Sequence, residues 1–275
     1  MVKIKLEILK KLPEKSSNLP TLLFVHGASH GMWCWQENFI PYFSSKNFPV
    51  YALDLRGHGK SEGFNDIDSF SLSQYADDVM EVMNQLDENV ILIGHSMGGA
   101  VVQKILSLHP KNVKAAVLLS SVPHSGMFKD LIKLLFTQFK NVRQAKKSFS
   151  CENVRFPFEV YVDDNIPSEK LKLYSSLIQL ESKKASLEIF TSIVPKNLNV
   201  HIPMLIVGSK YDKIVSAKSV ALTAKFYKTK PIILNNLSHD MMLDSNWKIV
   251  ADIIYDFCAA LPRKKYVCEY AKTSV

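Results

Sequence analysis

The sequence predicts an α/β fold in which a mostly parallel central sheet carries helices on both faces and a helical cap is inserted before the last strands. Three observations carry this. Short runs that are apolar throughout, such as Thr21-Leu22-Leu23-Phe24-Val25 and Pro203-Met204-Leu205-Ile206-Val207, read as strands covered on both sides. From Leu22 to Ser121 such runs alternate with helical stretches, the order that builds parallel pairs through crossovers. From His124 to about Asn197 the alternation stops, and apolar residues recur only at helical spacing, as at Phe128, Leu131, Ile132, Leu135 and Phe139. The expected divisions are a core of residues 1–123 and 198–262, a cap of 124–197, and a basic, mobile tail of 263–275.

At the start, Val2, Ile4, Leu6 and Ile8 alternate with charged residues, the period of a half-exposed strand at a sheet edge. A turn over Pro13–Pro20 leads into the first buried strand. That strand ends in His26-Gly27-Ala28-Ser29-His30-Gly31-Met32-Trp33-Cys34-Trp35, a loop of small and aromatic residues where open α/β sheets gather their ligands. At least one of Trp33 and Trp35 is expected in the core. Val50–Leu55 is the next strand, followed by Arg56-Gly57-His58-Gly59-Lys60-Ser61; the two glycines explain this turn, so Asp54, Arg56 and His58 are read as structural. Leu72, Tyr75, Val79, Val82, Met83 and Leu86 then form one helical face, with Ser71 as its N-cap.

The next stretch, Ile91-Leu92-Ile93-Gly94-His95-Ser96-Met97-Gly98-Gly99-Ala100, is a strand, a sharp turn and a helix. Gly94 and Gly98 flank Ser96 at the Gly-x-Ser-x-Gly spacing of a nucleophile elbow. A side chain at such a turn sits on strained backbone, so the residues two before and two after must let strand and helix approach closely. The helix beginning at Met97 aims free N–H groups and its positive end at the place where an anionic intermediate would form. It runs to about Leu108 and Pro110 closes it off; Val113–Ser120 is another buried strand. Beyond the cap, the strand at Pro203–Val207 ends in Gly208-Ser209-Lys210-Tyr211-Asp212. A helix over Ser216–Tyr227, a strand over Pro231–Leu234, a loop carrying Ser238-His239-Asp240, and a helix over Trp247–Leu261 complete the chain.

Composition bounds the rest. The chain has 275 residues, 47% hydrophobic and 22% charged, ordinary values for a globular protein. Its net charge of +8 comes from scattered lysines, densest at Lys140–Lys147, and no nucleic-acid motif accompanies them. Nucleic acid is therefore excluded as a partner, a peripheral contact with a lipid surface stays open, and nothing in the pattern fixes an oligomeric state. Cys34, Cys151, Cys258 and Cys268 lie too far apart for a zinc motif or a disulfide framework, so no metal is expected and a reducing compartment suits them. With no signal-peptide core and no run of about 18 apolar residues, the cytoplasm is the expected location and no transmembrane segment is expected.

Ser96, Asp212 and His239 fall at strand ends in that chain order. On these residues, on the His26-Gly27 loop and on Asp54–Ser61, the whole chain resembles the α/β-hydrolase superfamily. Its first loop is similar to that of plant methylesterases and hydroxynitrile lyases, whereas Asp54–Ser61 is similar to bacterial carboxylesterases and lysophospholipases. The resemblance implies a serine hydrolase acting on a small carboxylic ester through an acyl-enzyme, with no cofactor, and an oxyanion hole made by the amides of Ala28 and Met97. The chemistry of the roles is consistent: a serine hydroxyl needs a base, His239, and the base needs an acid, Asp212, to hold its tautomer. Asp240 adjoins His239 but adjacent side chains diverge, and Asp130 lies inside the cap, so Asp212 is the expected acid. His26 and His95 are expected to be structural or to wall the site. Two alternatives stay open: a lyase, for which Lys210 would be the additional lysine, and an inert ligand-binding receptor. Dehalogenase and epoxide hydrolase chemistry is excluded, since both need a carboxylate where Ser96 stands.

Overall fold

The computed structural model describes residues 4–14, 17–86, 89–128 and 158–262. Strands β1 (Ile8–Lys11), β2 (Thr21–Val25), β3 (Val50–Leu53), β4 (Val90–His95), β5 (Val113–Leu119), β6 (Met204–Ser209) and β7 (Pro231–Leu234) form one sheet in the order β1-β3-β2-β4-β5-β6-β7. Only β1 is antiparallel to its neighbour; the other pairings are parallel, as the buried apolar runs require. The edge strand lies further along the chain than its alternation predicts. Glu7 and Lys5 still accept from the amides of Asp54 and Glu62 at 3.0 Å each, but they face the loop after β3, so no ladder extends there. Val2 lies outside the described residues.

Side chains alternate across the buried strands, which therefore feed two cores. In β2, Leu23 and Val25 pack with helices α3 (Leu72–Met83), α4 (Met97–Leu106) and α7 (Ala217–Phe226). Leu22 and Phe24 face the opposite layer, made by α1 (Trp33–Gln36), α2 (Phe39–Ser45) and α8 (Trp247–Ala260). Each fully buried aliphatic or aromatic side chain contributes about 1.5–3 kcal/mol. Ser71 caps α3 in a reciprocal box with Gln74, as its position before the apolar face predicts. Helices α1 and α2 are not apparent from the sequence. Pro41 disguises α2, yet it stands in the first turn, where a missing N–H leaves no bond unmade.

Between β5 and β6 the described part of the insertion is a 3-10 turn at Phe158–Val160, then α5 (Ser168–Leu177) and α6 (Lys183–Glu188). Leu131, Ile132, Leu135, Phe139, Lys140–Lys147, Cys151, Cys268 and the tail lie outside the described residues. Cys34 and Cys258 are free and buried. Among the described residues no helix is long and apolar enough to cross a membrane. The chain leaves β2 for one side of the sheet and reaches β4 on the other, so the loops after these two strands diverge and open a crevice. Ala28 follows one of them and Ser96 the other.

Candidate active site

Ser96 stands at the turn between β4 and α4 with φ 51° and ψ −118°, outside the regions open to ordinary L-residues. Two close approaches make the turn possible. A Cβ on Gly94 would lie 2.5 Å from the Gly98 carbonyl oxygen, and one on Gly98 would lie 2.3 Å from that of Val25, so strand, helix and neighbouring strand meet without side chains between them. The Ser96 amide donates to the Leu119 carbonyl at 3.0 Å and its own carbonyl accepts from Gly99 and Val122, which ties the elbow to β5.

The loop after β2 lies against this turn. A Cβ on Gly27 would stand 3.1 Å from that of Ser96 and 2.9 Å from His95 Nδ1. Nε2 of His26 accepts from the Leu55 amide at 3.1 Å, which leaves Nδ1 protonated to donate to the Gly27 carbonyl at 2.8 Å. Burial, then the neighbouring His58, lowers the His26 pKa well below 6.5, so this ring is neutral. The carbonyl it holds belongs to the same peptide group as the Ala28 amide. Among the described residues neither the Ala28 nor the Met97 amide donates to another protein group, so both donors are available to a ligand.

His239 arrives from the loop after β7 and Asp212 from the loop after β6. Nδ1 of His239 lies 3.0 and 2.9 Å from the two carboxylate oxygens of Asp212, and both side chains are buried. Asp212 Oδ1 also accepts from the amides of Ile214 and Val215 at 2.8 and 2.9 Å. Burial alone would raise the Asp212 pKa, but the charge of His239 and these hydrogen bonds outweigh it and the net shift is downward. For His239, burial works against the cation and the charges of Asp212 and Asp240 outweigh it, so the pKa is raised above 6.5. Nε2 of His95 lies 3.0 Å from the His239 carbonyl. Since that carbonyl can only accept, His95 donates from Nε2; burial and the nearby His239 lower its pKa to about 3, and the ring is neutral.

Of the residues expected from the sequence, the structure brings His239 and Asp212 together, sets the loop that carries Ala28 against the turn of Ser96 and Met97, and links that turn to the His239 loop through His95. Asp240 turns away from the His239 ring, as adjacent side chains do, toward His30 at 2.9 Å. Lys210, the lysine of the lyase alternative, is exposed. Asp54 and Arg56 are structural: Asp54 accepts from the amides of Met32 and Lys60, and Arg56 pairs with Asp78 of α3. His58 does more than shape a turn. It meets Glu181 of the insertion at 3.0 Å, and Glu181 also accepts from Tyr75 and the Ser29 amide. No local signal announces this, because 123 residues separate the two partners.

Aromatic rings pack beside these residues. Tyr161 lies 5.9 Å from the His239 ring, Trp33 stacks on His30 at 5.3 Å, and Tyr174 of α5 stacks on Trp33 at 5.8 Å. Trp35, by contrast, is fully buried under the sheet. His95, His239 and Asp240 offer donor atoms within 4.8 Å of one another; His95 Nε2 serves the His239 carbonyl and Asp240 Oδ2 serves His30, while His95 Nδ1 and Asp240 Oδ1 are buried without a hydrogen-bond partner among the described residues.

Comparison with known proteins adds a family, a plant relative and two solved structures that this chain is similar to. The family described as serine aminopeptidase, S33, matches residues 17–246. Methylesterase 3 of Arabidopsis thaliana is 31% identical over 103 residues, 37% of this chain and 39% of that protein. The chain thus matches only 25–39% of the length of such plant relatives. An esterase from Exiguobacterium antarcticum superposes with a TM-score of 0.73 at 16% identity, covering 94% of this chain and 96% of that one. A monoacylglycerol lipase from Paleococcus ferrophilus gives 0.71 at 20% identity, covering 94% and 100%.

Proposed function

We propose that this chain, which belongs to the serine aminopeptidase S33 family and has the α/β-hydrolase fold, hydrolyses a small carboxylic ester through an acyl-enzyme on Ser96. The observation that carries the reading is the buried His239–Asp212 pair, with both carboxylate oxygens within 3.0 Å of Nδ1, on a loop bonded to the residue before Ser96. Acceptance by Asp212 keeps the Nδ1 proton in place and leaves Nε2 as the basic nitrogen.

In this reading His239 Nε2 takes the Ser96 proton as Oγ attacks the ester carbonyl. The charge that develops on the carbonyl oxygen is received by the amides of Ala28 and Met97, and the imidazolium is stabilised by Asp212. The proton then passes to the departing alcohol oxygen. Water attacks the acyl-enzyme by the same route in reverse, releasing the acid and restoring Ser96. The plant relative's name supports the choice of an ester, and the aromatic rings of Trp33, Tyr161 and Tyr174 supply an apolar wall for a small acyl or alcohol group. The described part of 124–197 is read as a cap that shapes this wall.

The test is ester release from aryl esters of increasing acyl length, with the native chain and Ser96→Ala. Release and fluorophosphonate labelling that both disappear in Ser96→Ala support the reading. Equal labelling of both proteins overturns it.

A further inference from the structure

His30 and Asp240 form a buried ion pair that the reaction above does not use. Nε2 of His30 lies 2.9 Å from Asp240 Oδ2, and Nδ1 lies 2.7 Å from the Ala28 carbonyl oxygen. Carboxylate and carbonyl can only accept, so both ring nitrogens donate and the ring is an imidazolium. Burial opposes that charge, yet the charge and hydrogen bond of Asp240 and the bond to Ala28 outweigh it. Both residues are sealed from solvent, His30 at 1% exposure and Asp240 at 0%.

Buried pairs of this kind add little stability over apolar residues of the same volume, so what the pair orients is more informative than what it weighs. It joins the two loops that matter. One end is the residue after His239, and Asp240 is held there by its own amide, which donates to the Tyr161 carbonyl at 2.8 Å. The other end is the peptide group between Ala28 and Ser29. The amide of Ser29 donates to Glu181 at 3.0 Å and its carbonyl accepts from the Gln179 amide at 3.0 Å, so the far side of the loop is fixed as well. Together with His26 on the Gly27 carbonyl, the peptide groups on both sides of Ala28 are each held by a histidine. Ser29 has φ 63°, a conformation that needs such restraints.

We propose that His30, held as a cation by Asp240, is a positioning residue that fixes the Ala28 amide toward the oxyanion and keeps it in register with the His239 loop. The pair touches no reacting atom. The inference rests on the reading of Ser96 as an ester-cleaving nucleophile. A donor that is free to rotate stabilises the transition state less than one aimed in advance, while ground-state binding is barely affected.

The experiment compares the full chain with Ser96→Ala, His30→Gln, Asp240→Asn and the double variant. kcat and KM are measured for p-nitrophenyl acetate, and inhibition by a phenylboronic acid reports affinity for a tetrahedral anion on Ser96. His30→Gln should lower kcat by about 10- to 100-fold, the scale of a small misplacement, with KM within about threefold. Boronate affinity should fall by a similar factor, and the double variant should be no worse than the worse single variant. Where His30→Gln does not fold by circular dichroism, Asp240→Asn takes its place, with the same losses in kcat and boronate affinity expected. A wild-type kcat in folded His30→Gln, a kcat loss with unchanged boronate affinity, or losses that multiply in the double variant each overturn the proposal. Hydrolysis that survives in Ser96→Ala overturns the underlying reading and this inference with it, whereas Ser96-dependent hydrolysis indifferent to His30 overturns the inference alone.

Discussion

The His95 side chain, one residue before Ser96, donates from Nε2 to the backbone carbonyl of His239 at 3.0 Å. The strand that leads to Ser96 thus holds the loop of His239 directly. Replacing His95 with leucine removes one of two donors to this buried carbonyl, which also accepts from the Met241 amide at 2.9 Å, a loss of about 0.5–1.5 kcal/mol in stability. His95→Leu is expected to lower kcat, and His95→Gln, which keeps an N–H donor, to recover part of it. Steady-state kinetics alongside urea unfolding separates the two effects.

Asp212→Asn should keep the fold and lower turnover by about 10⁴, the loss that follows when a triad aspartate becomes an amide and the histidine tautomer reverses. Asp240→Asn should stay within about 100-fold, because the Asp240 side chain is hydrogen-bonded to His30 and acts on His239 only through its charge. Near-native turnover in Asp212→Asn would remove it from the acid's role. Asp130, the remaining competitor from the sequence, lies outside the described residues.

The proposed mechanism needs His239 neutral, and the charges of Asp212 and Asp240 raise its pKa above 6.5 against the effect of burial. Activity is therefore lost as pH falls through that raised value. The acid limb of kcat/KM should have its midpoint above 6.5, and removing the Asp212 charge should move it to lower pH. A pH profile of aryl ester hydrolysis reads both.

Glu181 joins the insertion to the core through His58, and breaking a buried pair from one side costs about 3–5 kcal/mol. Glu181→Ala should lower Tm by about 6–20 °C at the scale of about 2–4 °C per kcal/mol. The pH dependence follows from both partners. Glu181 has its pKa lowered from 4.5, so its contribution is present above that value and lost as pH falls through the folded one. His58 has its pKa raised from 6.5, so its contribution is complete below that value and lost as pH rises through the folded one. The stability gap between native chain and variant should be widest between 4.5 and 6.5.

Tyr161 stands over the His239 ring at 5.9 Å, close enough to limit what reaches Ser96. Tyr161→Ala should extend the tolerated acyl chain while fluorophosphonate labelling persists. Loss of labelling in a well-folded variant would place Tyr161 in the chemistry instead. Of two bulky apolar cap positions open to the same test, Phe136 lies outside the described residues and Leu177, at the end of α5, is 39% exposed.

What could be read from the sequence was what is encoded locally. The apolar runs at Leu22–Val25 and Met204–Val207, the glycines around Ser96 and the cap at Ser71 each state their structure within a few residues. The candidate residues could be ordered because each follows an apolar strand run. Contacts between distant segments left no such trace: Glu181 with His58, Asp240 with His30 and the Tyr174–Trp33 stack join residues more than 100 positions apart. A charged residue next to His239 and a second histidine in the first loop are visible one by one, but only the fold makes them a pair.

The conformation of Ser96 has an evolutionary edge. Its φ of 51° and ψ of −118° cost a residue with a side chain on the order of 1–3 kcal/mol, while glycine occupies such geometry freely. Under the proposed function, the substitution that would silence this protein is thus one that makes it sturdier. A duplicate copy released from selection for turnover slides downhill toward glycine at this position, and its fossil signature would be an intact Asp212–His239 pair facing a missing hydroxyl.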